Sequence, residues 1–258
     1  VRIYVSSSSS EGAVMNSLIA LGLFAVTQVG SIIYDRFVKV ELPPVGRVNW
    51  IDVLFILAML NVFPFLLLVL PSYLILLLFA FSFASGLYYA FRPLIRQRVI
   101  IFLLVVGLIL TQILNPIKYL NDVIVMITVV GISVLYVQSG LRMDELVLLG
   151  IGYSIYDLII GMFTPFLSQL TLKLTNIQIA PAIIVGNFAI GAADVLLVSL
   201  YVVALKQKAN IRLAAAYLIL SILVVAFIFF YLLVVAPSLL ANSFPLAPWI
   251  TIPFLIFV

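Results

Sequence analysis

Long apolar runs separated by short polar breaks follow one another along the whole chain. Most of them are about 20 residues long, which is the length that an α-helix needs to cross a bilayer. Because backbone in lipid must satisfy its own hydrogen bonds, we expect helices, and the runs are too continuously apolar for the alternating strands of a β-barrel. The pattern predicts nine transmembrane helices, at residues 13–34, 50–70, 72–91, 97–116, 122–141, 145–165, 181–205, 212–236 and 244–258.

The predicted fold is therefore all-α, a polytopic membrane protein with one domain over residues 1–258. The first six helices form an N-terminal part (1–165), and the last three form a C-terminal part (181–258). The joining segment 166–180 alternates apolar and polar residues, which fits either a short interfacial loop or a strand that meets a substrate. The first span is too long for a signal peptide, so we expect it to remain as a helix.

The composition agrees with a membrane protein and removes most kinds of chemistry. Hydrophobic residues make up 66% of the chain and charged residues 9%, whereas soluble proteins have about 45–50% and about 25%. The chain contains no cysteine and no histidine, which excludes disulfides, thiolate sites and the commonest metal ligand. Any catalysis must then use carboxylates, hydroxyls, lysine or arginine.

The basic residues predict the orientation of the helices. Three of them, Arg2, Lys118 and Lys173, lie on one side of the predicted membrane. The other ten lie in the first, third, fifth and seventh loops, at Arg36, Lys39, Arg47, Arg92, Arg96, Arg98, Arg142, Lys206, Lys208 and Arg212. Because positive residues favour the cytoplasm, this bias puts the N-terminus outside and the C-terminus inside. We interpret the net charge of +4 as a topology signal, with no nucleic-acid partner expected.

Two of the nine acidic residues lie deep inside predicted helices. The other seven are assigned to tails, loops or first turns of helices, at Glu11, Asp35, Glu41, Asp52, Asp122, Asp144 and Glu145. Asp157 and Asp194 remain, each about 17 Å from the cytoplasmic end of its helix by the helical rise. These two helices are consecutive and antiparallel, so the carboxylates reach nearly the same depth. A carboxylate at the bilayer centre costs at least ~2.5 kcal/mol, which makes it a candidate functional residue.

Two carboxylates that meet in a dry site are expected to share a proton, because both cannot ionise cheaply. One can then act as a general base and the other as a general acid, as in aspartic proteases. The same pair could instead relay protons through a transporter or channel. A third interpretation makes each Asp a protonated packing residue that hydrogen-bonds a neighbouring helix.

Three short motifs accompany the two aspartates and the last helix. They are Tyr156-Asp157, Gly191-Ala192-Ala193-Asp194 and Pro245-Leu246-Ala247-Pro248. In order and position they resemble the motifs of the presenilin and signal peptide peptidase family of intramembrane aspartyl proteases. That family has nine helices, with a Tyr-Asp motif in the sixth, Gly-x-Gly-Asp in the seventh and Pro-Ala-Leu at the ninth.

The resemblance implies hydrolysis of peptide bonds within transmembrane segments of membrane proteins or signal peptides. It implies that Asp157 and Asp194 are catalytic, that water attacks directly and that no metal or organic cofactor is required. It assigns substrate binding to Tyr156, Gly191, Pro245, Leu246, Ala247 and Pro248. The N-outside arrangement resembles signal peptide peptidases, so substrates would have their N-termini on the cytoplasmic side. We expect the cell membrane as the location and leave oligomerisation open.

Two departures from the family pattern and several ordinary interpretations stay open. Ala193 replaces the second glycine of the family motif, and the third motif is permuted to Pro-Leu-Ala-Pro. The extra methyl group could narrow the cleft, or it could mark an inactive family member that binds membrane proteins. Tyr156 and Gly191 could serve only packing. The prolines could simply begin a helix, or they could free backbone groups that pair with an unwound substrate.

Overall fold

The computed structural model describes residues 2–3, 10–39, 50–117, 119–163, 173–174, 177–186, 188–234 and 245–258. This part of the chain is mainly helical. Its helices are α1 (Ser10–Phe37), α2 (Trp50–Val69), α3 (Ser72–Phe91), α4 (Arg98–Leu114), α5 (Leu120–Gln138), α6 (Met143–Phe163), α7 (Ala192–Lys208), α8 (Ile211–Val234) and α9 (Ala247–Phe257). Most predicted helix ends agree with these bounds to within three residues. The predicted joining segment 166–180 lies largely outside the described residues.

The helices have the length and the surface of a membrane protein. Five of them contain stretches long and apolar enough to cross a bilayer, at Gly12–Phe37, Trp50–Val69, Ser72–Phe91, Leu120–Gln138 and Ile211–Val234. Large apolar side chains point away from the bundle, and Val69, Phe81 and Leu114 are 85%, 75% and 79% exposed. A continuous surface of this kind is stable against hydrocarbon and would drive aggregation in water.

The prediction of a helix over residues 181–205 is wrong for its first eleven residues. These residues contain two strands, β2 (Ala182–Val185) and β3 (Phe188–Gly191). A short strand β1 (Arg2–Ile3) pairs with β3 from the other side, so the antiparallel order is β1-β3-β2. Helix α7 therefore begins only at Ala192.

The local sequence explains this hairpin. Val185 pairs with Phe188, so only Gly186 and Asn187 lie between the strands. Gly186 has a φ of 57°, and glycine adopts this left-handed conformation easily in two-residue hairpin turns. The side chains of Ile183, Val185, Phe188 and Ile190 are buried on one face of the hairpin. Both faces of the hairpin carry apolar residues, so the sequence lacks the alternation of apolar and polar residues that is typical of a strand. The segment therefore resembles the start of a transmembrane helix.

Helix α7 occupies the middle of the bundle. It packs against α1, α5 and α8, and it also contacts α6 and α9. Almost every residue from Val195 to Leu205 is buried, which fits a helix that is apolar on all sides. Through α7, the predicted N-terminal and C-terminal parts join in one bundle, with α6 and α9 packed together beside it.

A second correction concerns Asp35 and Lys206, which the sequence pattern assigned to loops. Both lie near the ends of helices, α1 and α7, and they form an ion pair of 2.7 Å with side chains only 4% and 15% exposed. The amide groups of Gln138 and Gln207 donate to the other Asp35 oxygen at 3.1 and 2.5 Å. We call Asp35, Gln138, Lys206 and Gln207 the Asp35 cluster. It ties α1, α5 and α7 together at one end of the bundle.

Three other acidic residues also lie in helices. Glu11 is in the first turn of α1, and Asp144 and Glu145 are in the first turn of α6. The sequence pattern assigned all three to tails or loops. Asp52 and Asp122 lie in the first turns of α2 and α5, as predicted, where a carboxylate favours the positive end of the helix dipole.

Candidate active site

The two aspartates of the sequence pattern, Asp157 half-buried and Asp194 buried, come together where α6, α7 and α9 converge. Asp157 lies in α6 and Asp194 lies in α7, and the two carboxylates are close enough to interact electrostatically. In the part of the chain that the structure describes, no lysine or arginine forms an ion pair with either one. Like charges in a site of low dielectric repel strongly, so the pair is stable when it shares a proton.

The start of α9 holds the Asp157 carboxylate. The backbone N–H of Ala247 donates to Asp157 Oδ2 at 3.0 Å, and the N–H of Leu246 donates to the same carboxylate. These N–H groups have no partner within α9, because the first turn of any helix leaves its donors free. Pro248 lies in this first turn, where its missing N–H removes no helical hydrogen bond. The proline-rich segment thus presents its backbone donors to Asp157.

Asp194 lies in the first turn of α7 and is only 5% exposed. Its Oδ1 is buried and has no hydrogen-bond partner among the residues that the structure describes. Gly191 is the residue that precedes the helix, and a methyl group added there would lie 3.0 Å from Asp194 Oδ2. The glycine therefore leaves room for the carboxylate of its own turn. The sequence suggested that Gly191 either packs against another helix or contacts the substrate. The close approach of Gly191 to Asp194 is a third role, which the sequence did not predict.

Two tyrosines of α6 stack beside the carboxylates. Their ring centroids are 6.0 Å apart and the planes are 18° from parallel, with Tyr156 half-buried. The Tyr153 hydroxyl hydrogen-bonds to Asp194 and lies near Asp157 as well. Sequence reasoning singled out Tyr156 and missed Tyr153. The available signal was its spacing, because a residue four positions before Asp157 lies on the same helix face.

A group of hydroxyls and close contacts fixes the three helices against one another. Ser154 of α6 donates to Thr251 of α9 at 3.0 Å, and Tyr201 of α7 lies 3.4 Å from the same Thr251 oxygen. The Tyr201 ring stacks on Phe254 with centroids 3.7 Å apart. Gly150 allows this approach, since a Cβ there would collide with the Tyr201 hydroxyl. Helices α6, α7 and α9 are therefore closely packed next to the two aspartates.

An apolar cavity of about 110 Å³ adjoins the tyrosines and the start of α7. Ala193 lines it together with Tyr153, Ile56 of α2 and leucines of α6 and α7. The methyl group by which Ala193 departs from the family pattern therefore faces this cavity. The walls of the cavity are apolar, and the cavity adjoins the aspartate pair through Tyr153 and Ala193.

The structure thus brings together most of the side chains that the sequence pattern selected. Asp157, Leu246 and Ala247 form one contact, and Asp194 and Gly191 form another. Pro245 and Pro248 flank Leu246 and Ala247 in the sequence, and both prolines are buried. Tyr156 contacts the site indirectly, because its ring stacks on the ring of Tyr153. Among the described residues, no three acidic side chains converge as a metal site.

A scan against models of known protein families finds no match to this chain, and a search of curated proteins finds no match either. The assignment of a function therefore depends on the geometry of the site and on the three motifs.

Proposed function

We propose that this protein is an intramembrane aspartyl protease that uses Asp157 and Asp194 as its catalytic pair. The observation that carries the proposal is the electrostatic contact of two carboxylates from separate helices, neither of which forms an ion pair with a described lysine or arginine. One of their oxygens, Asp194 Oδ1, is buried and has no hydrogen-bond partner in the described part of the chain. A group in that state is costly unless a reacting water or substrate completes its hydrogen bonds.

The reaction needs only one proton shared by the pair. One aspartate removes a proton from a water molecule as the water oxygen attacks the peptide carbonyl carbon, while the other donates its proton to the carbonyl oxygen. The tetrahedral intermediate then collapses and the C–N bond breaks. The nitrogen takes a proton from the aspartate that received one, and a hydroxyl of the intermediate returns its proton to the other aspartate. The products are a carboxylic acid and an amine, and the pair is again singly protonated.

The surrounding groups position this chemistry. The N–H donors of Leu246 and Ala247 orient Asp157, and Tyr153 orients Asp194. A substrate helix hides its carbonyls in hydrogen bonds and must unwind before it reaches the pair. The cavity beside Ala193 and Tyr153 then takes an apolar side chain close to the cleaved bond.

The substrates in this proposal are transmembrane segments or signal peptides. The protein would span the cell membrane nine times, with its N-terminus outside and its C-terminus in the cytoplasm, as the ten-to-three distribution of basic residues suggests. Substrates would then enter with their N-termini on the cytoplasmic side.

The experiment measures cleavage of a fluorogenic transmembrane peptide by the purified protein in liposomes. Asp157→Asn and Asp194→Asn are compared with Asp144→Asn, which changes an exposed aspartate of the same helix α6. We expect both site variants to abolish cleavage and the control to retain it. The same liposomes carry a pH-sensitive dye. If the unaltered protein conducts protons but does not cleave the peptide, and both site variants abolish the proton flux, the protein is a proton relay and the protease proposal is wrong.

A further inference from the structure

A loop of basic residues joins α3 to α4, and the structure describes it in full over residues 92–98. It lies at one end of the bundle beside the end of α1, because Tyr34 of α1 donates to the carbonyl of Ala90 of α3 at 2.6 Å. Two of its residues, Arg96 and Arg98, are exposed, and we call this pair the exposed arginines. In the sequence they serve only as a signal of orientation, which leaves the partner of their charge open.

Hydrogen bonds inside the loop fix the backbone that carries the exposed arginines. The backbone N–H groups of Leu94 and Ile95 both donate to the carbonyl of Phe91 at 3.0 Å. The Nη1 group of Arg92 donates to the carbonyl of Arg96 at 3.3 Å. The loop is therefore a closed turn, and Arg92 supports that turn from within.

Other basic residues at this end of the bundle have acidic partners. Lys206 pairs with Asp35 at 2.7 Å, and Arg142 pairs with Asp144 at 3.1 Å. Neither of the exposed arginines forms an ion pair with a described acidic residue. The segment 40–49 lies outside the described residues, and it contains one acidic and one basic residue, so it adds no net charge. An excess of positive charge therefore remains at this end, and the exposed arginines contribute to it.

Helix α4 presents hydrocarbon surface directly beside the exposed arginines. Its buried residues form one stripe that packs toward α3 and α5, at Ile101, Val105, Ile109 and Gln112. Away from that stripe, Val99 and Phe102 are 70% and 62% exposed. Leu94 in the loop is 59% exposed as well. Positive charge and apolar surface therefore meet where α4 begins.

A ligand for this surface has to present an anion next to a hydrocarbon chain. The phosphate of a lipid headgroup supplies the anion, and a guanidinium donates paired N–H groups to phosphate oxygens. The acyl chains of the same molecule then lie against the exposed apolar face of α4. A nucleic acid or a soluble phosphate supplies the anion but no chains for Leu94, Val99 and Phe102. Basic residues that flank a membrane-spanning helix favour lipids with a net negative charge.

We propose that Arg96 and Arg98 bind the phosphate headgroup of an anionic phospholipid whose acyl chains lie along α4. The unbalanced positive charge, the closed turn that carries it and the apolar face of α4 together select this class of ligand. The proposal does not depend on the protease activity, because the loop joins α3 and α4 whereas the aspartate pair lies on α6 and α7.

The test measures lipid binding to the purified protein in nonionic detergent by native mass spectrometry. Phosphatidylglycerol is titrated beside phosphatidylcholine with the same acyl chains, and glycerol 3-phosphate is added as a competitor that carries the phosphate without chains. We expect saturable binding of phosphatidylglycerol, at least about tenfold tighter than that of phosphatidylcholine, because the arginines attract the net negative headgroup. Glycerol 3-phosphate should displace no more lipid than NaCl of equal ionic strength.

Two double variants with the same net charge locate the site. Arg96→Gln/Arg98→Gln should weaken phosphatidylglycerol binding about tenfold and leave phosphatidylcholine binding unchanged. Arg142→Gln/Arg212→Gln removes two charges from other loops and should bind both lipids as the unaltered protein does. Thermal unfolding confirms that each variant is folded, and the comparison of the two lipids on the unaltered protein needs no variant. Equal binding of the two lipids, displacement by glycerol 3-phosphate beyond the NaCl control, or an equal loss in both double variants would overturn the proposal.

Discussion

The Asp35 cluster and the Asp157/Asp194 pair both place carboxylates inside the helix bundle, and they differ in what surrounds them. Asp35 faces a lysine at 2.7 Å and two glutamine amides, so both of its oxygens are occupied. Asp157 and Asp194 interact with each other electrostatically, and no described residue hydrogen-bonds to Asp194 Oδ1. Burial alone therefore does not distinguish a structural carboxylate from a reactive one.

The difference teaches how each group contributes free energy. The buried Asp35 carboxylate accepts hydrogen bonds from one cation and two amide groups, and these contacts hold α1, α5 and α7 together. Both of its oxygens therefore stabilise the fold and neither is left for a ligand. Two carboxylates that lie close together, and that have no ion pair with a described lysine or arginine, oppose folding, so the rest of the bundle must stabilise them. Sites that oppose folding in this way are typical of function.

The largest expected effect separates activity from stability at the pair. Asp157→Asn or Asp194→Asn should reduce peptide cleavage by about 10³-fold or more, because general acid–base catalysis is lost. The same change should leave the thermal unfolding temperature equal or higher, since it relieves the repulsion. Cleavage assays and thermal unfolding in detergent measure the two quantities. A variant that loses both together would indicate that the pair is structural.

The second largest effect is a loss of stability at the Asp35 cluster, in contrast to the loss of activity expected at the aspartate pair. Asp35→Ala should destabilise the protein by about 3 kcal/mol, because it leaves the Lys206 ammonium buried without a counter-charge. Adding Lys206→Met should recover much of this loss, since no unpaired charge then remains. Thermal unfolding of the single and double variants checks the coupling. Additive losses in the double variant would contradict the ion-pair interpretation.

A smaller effect is expected at Gly191. In Gly191→Ala the new methyl group would lie 3.0 Å from Asp194 Oδ2 and push the carboxylate out of position. Cleavage should fall by roughly 10- to 100-fold, as small displacements of catalytic groups do, with little change in unfolding temperature. Gly22→Ala is the control, because a Cβ at Gly22 meets nothing within 4 Å. Equal activity of the two variants would exclude this role for Gly191.

The smallest effect concerns the tyrosine that touches the pair. Tyr153→Phe keeps the ring that stacks on Tyr156 and removes the hydroxyl that bonds Asp194. We expect cleavage to fall roughly 5- to 10-fold, which corresponds to the loss of one hydrogen bond worth about 1 kcal/mol. Tyr156→Phe is the matched control on the next position of the stack. A larger loss in the control would reverse the roles of the two tyrosines.

Much of the bundle could be predicted from the sequence, because a helix in lipid is an apolar run of a set length. The hairpin could not, since residues 181–191 are apolar apart from Asn187, and Gly186-Asn187 is the only turn signal in their sequence. Asp35 and Lys206 were assigned to loops for a similar reason. Charged residues at the end of an apolar run look the same whether they meet water or each other.

The sequence indicated which residues lie at the candidate site, but it did not indicate which atoms those residues contact. The order of the apolar runs predicted that Asp157 and Asp194 would come together, but Asp194 lies in the first turn of α7 and not in the middle of a helix as predicted. The binding of Leu246 and Ala247 to Asp157, and the closeness of Gly191 to Asp194, depend on where two helices begin. Such starting points shift by a residue or two in any sequence-based prediction. Tyr153 was missed because its role appears only when the Asp194 carboxylate is beside it.

The most direct test of the proposed catalytic pair uses a photoreactive transition-state analogue with a hydroxyl group in place of the cleaved carbonyl. The purified protein is irradiated with this analogue in bicelles, with and without an excess of the unlabelled compound. We predict saturable labelling of the unaltered protein that excess compound blocks, and no labelling of Asp157→Asn or Asp194→Asn, while Gly22→Ala labels normally. Equal labelling of the unaltered protein and the Asp194→Asn variant would contradict an aspartate pair that binds the transition state of peptide hydrolysis.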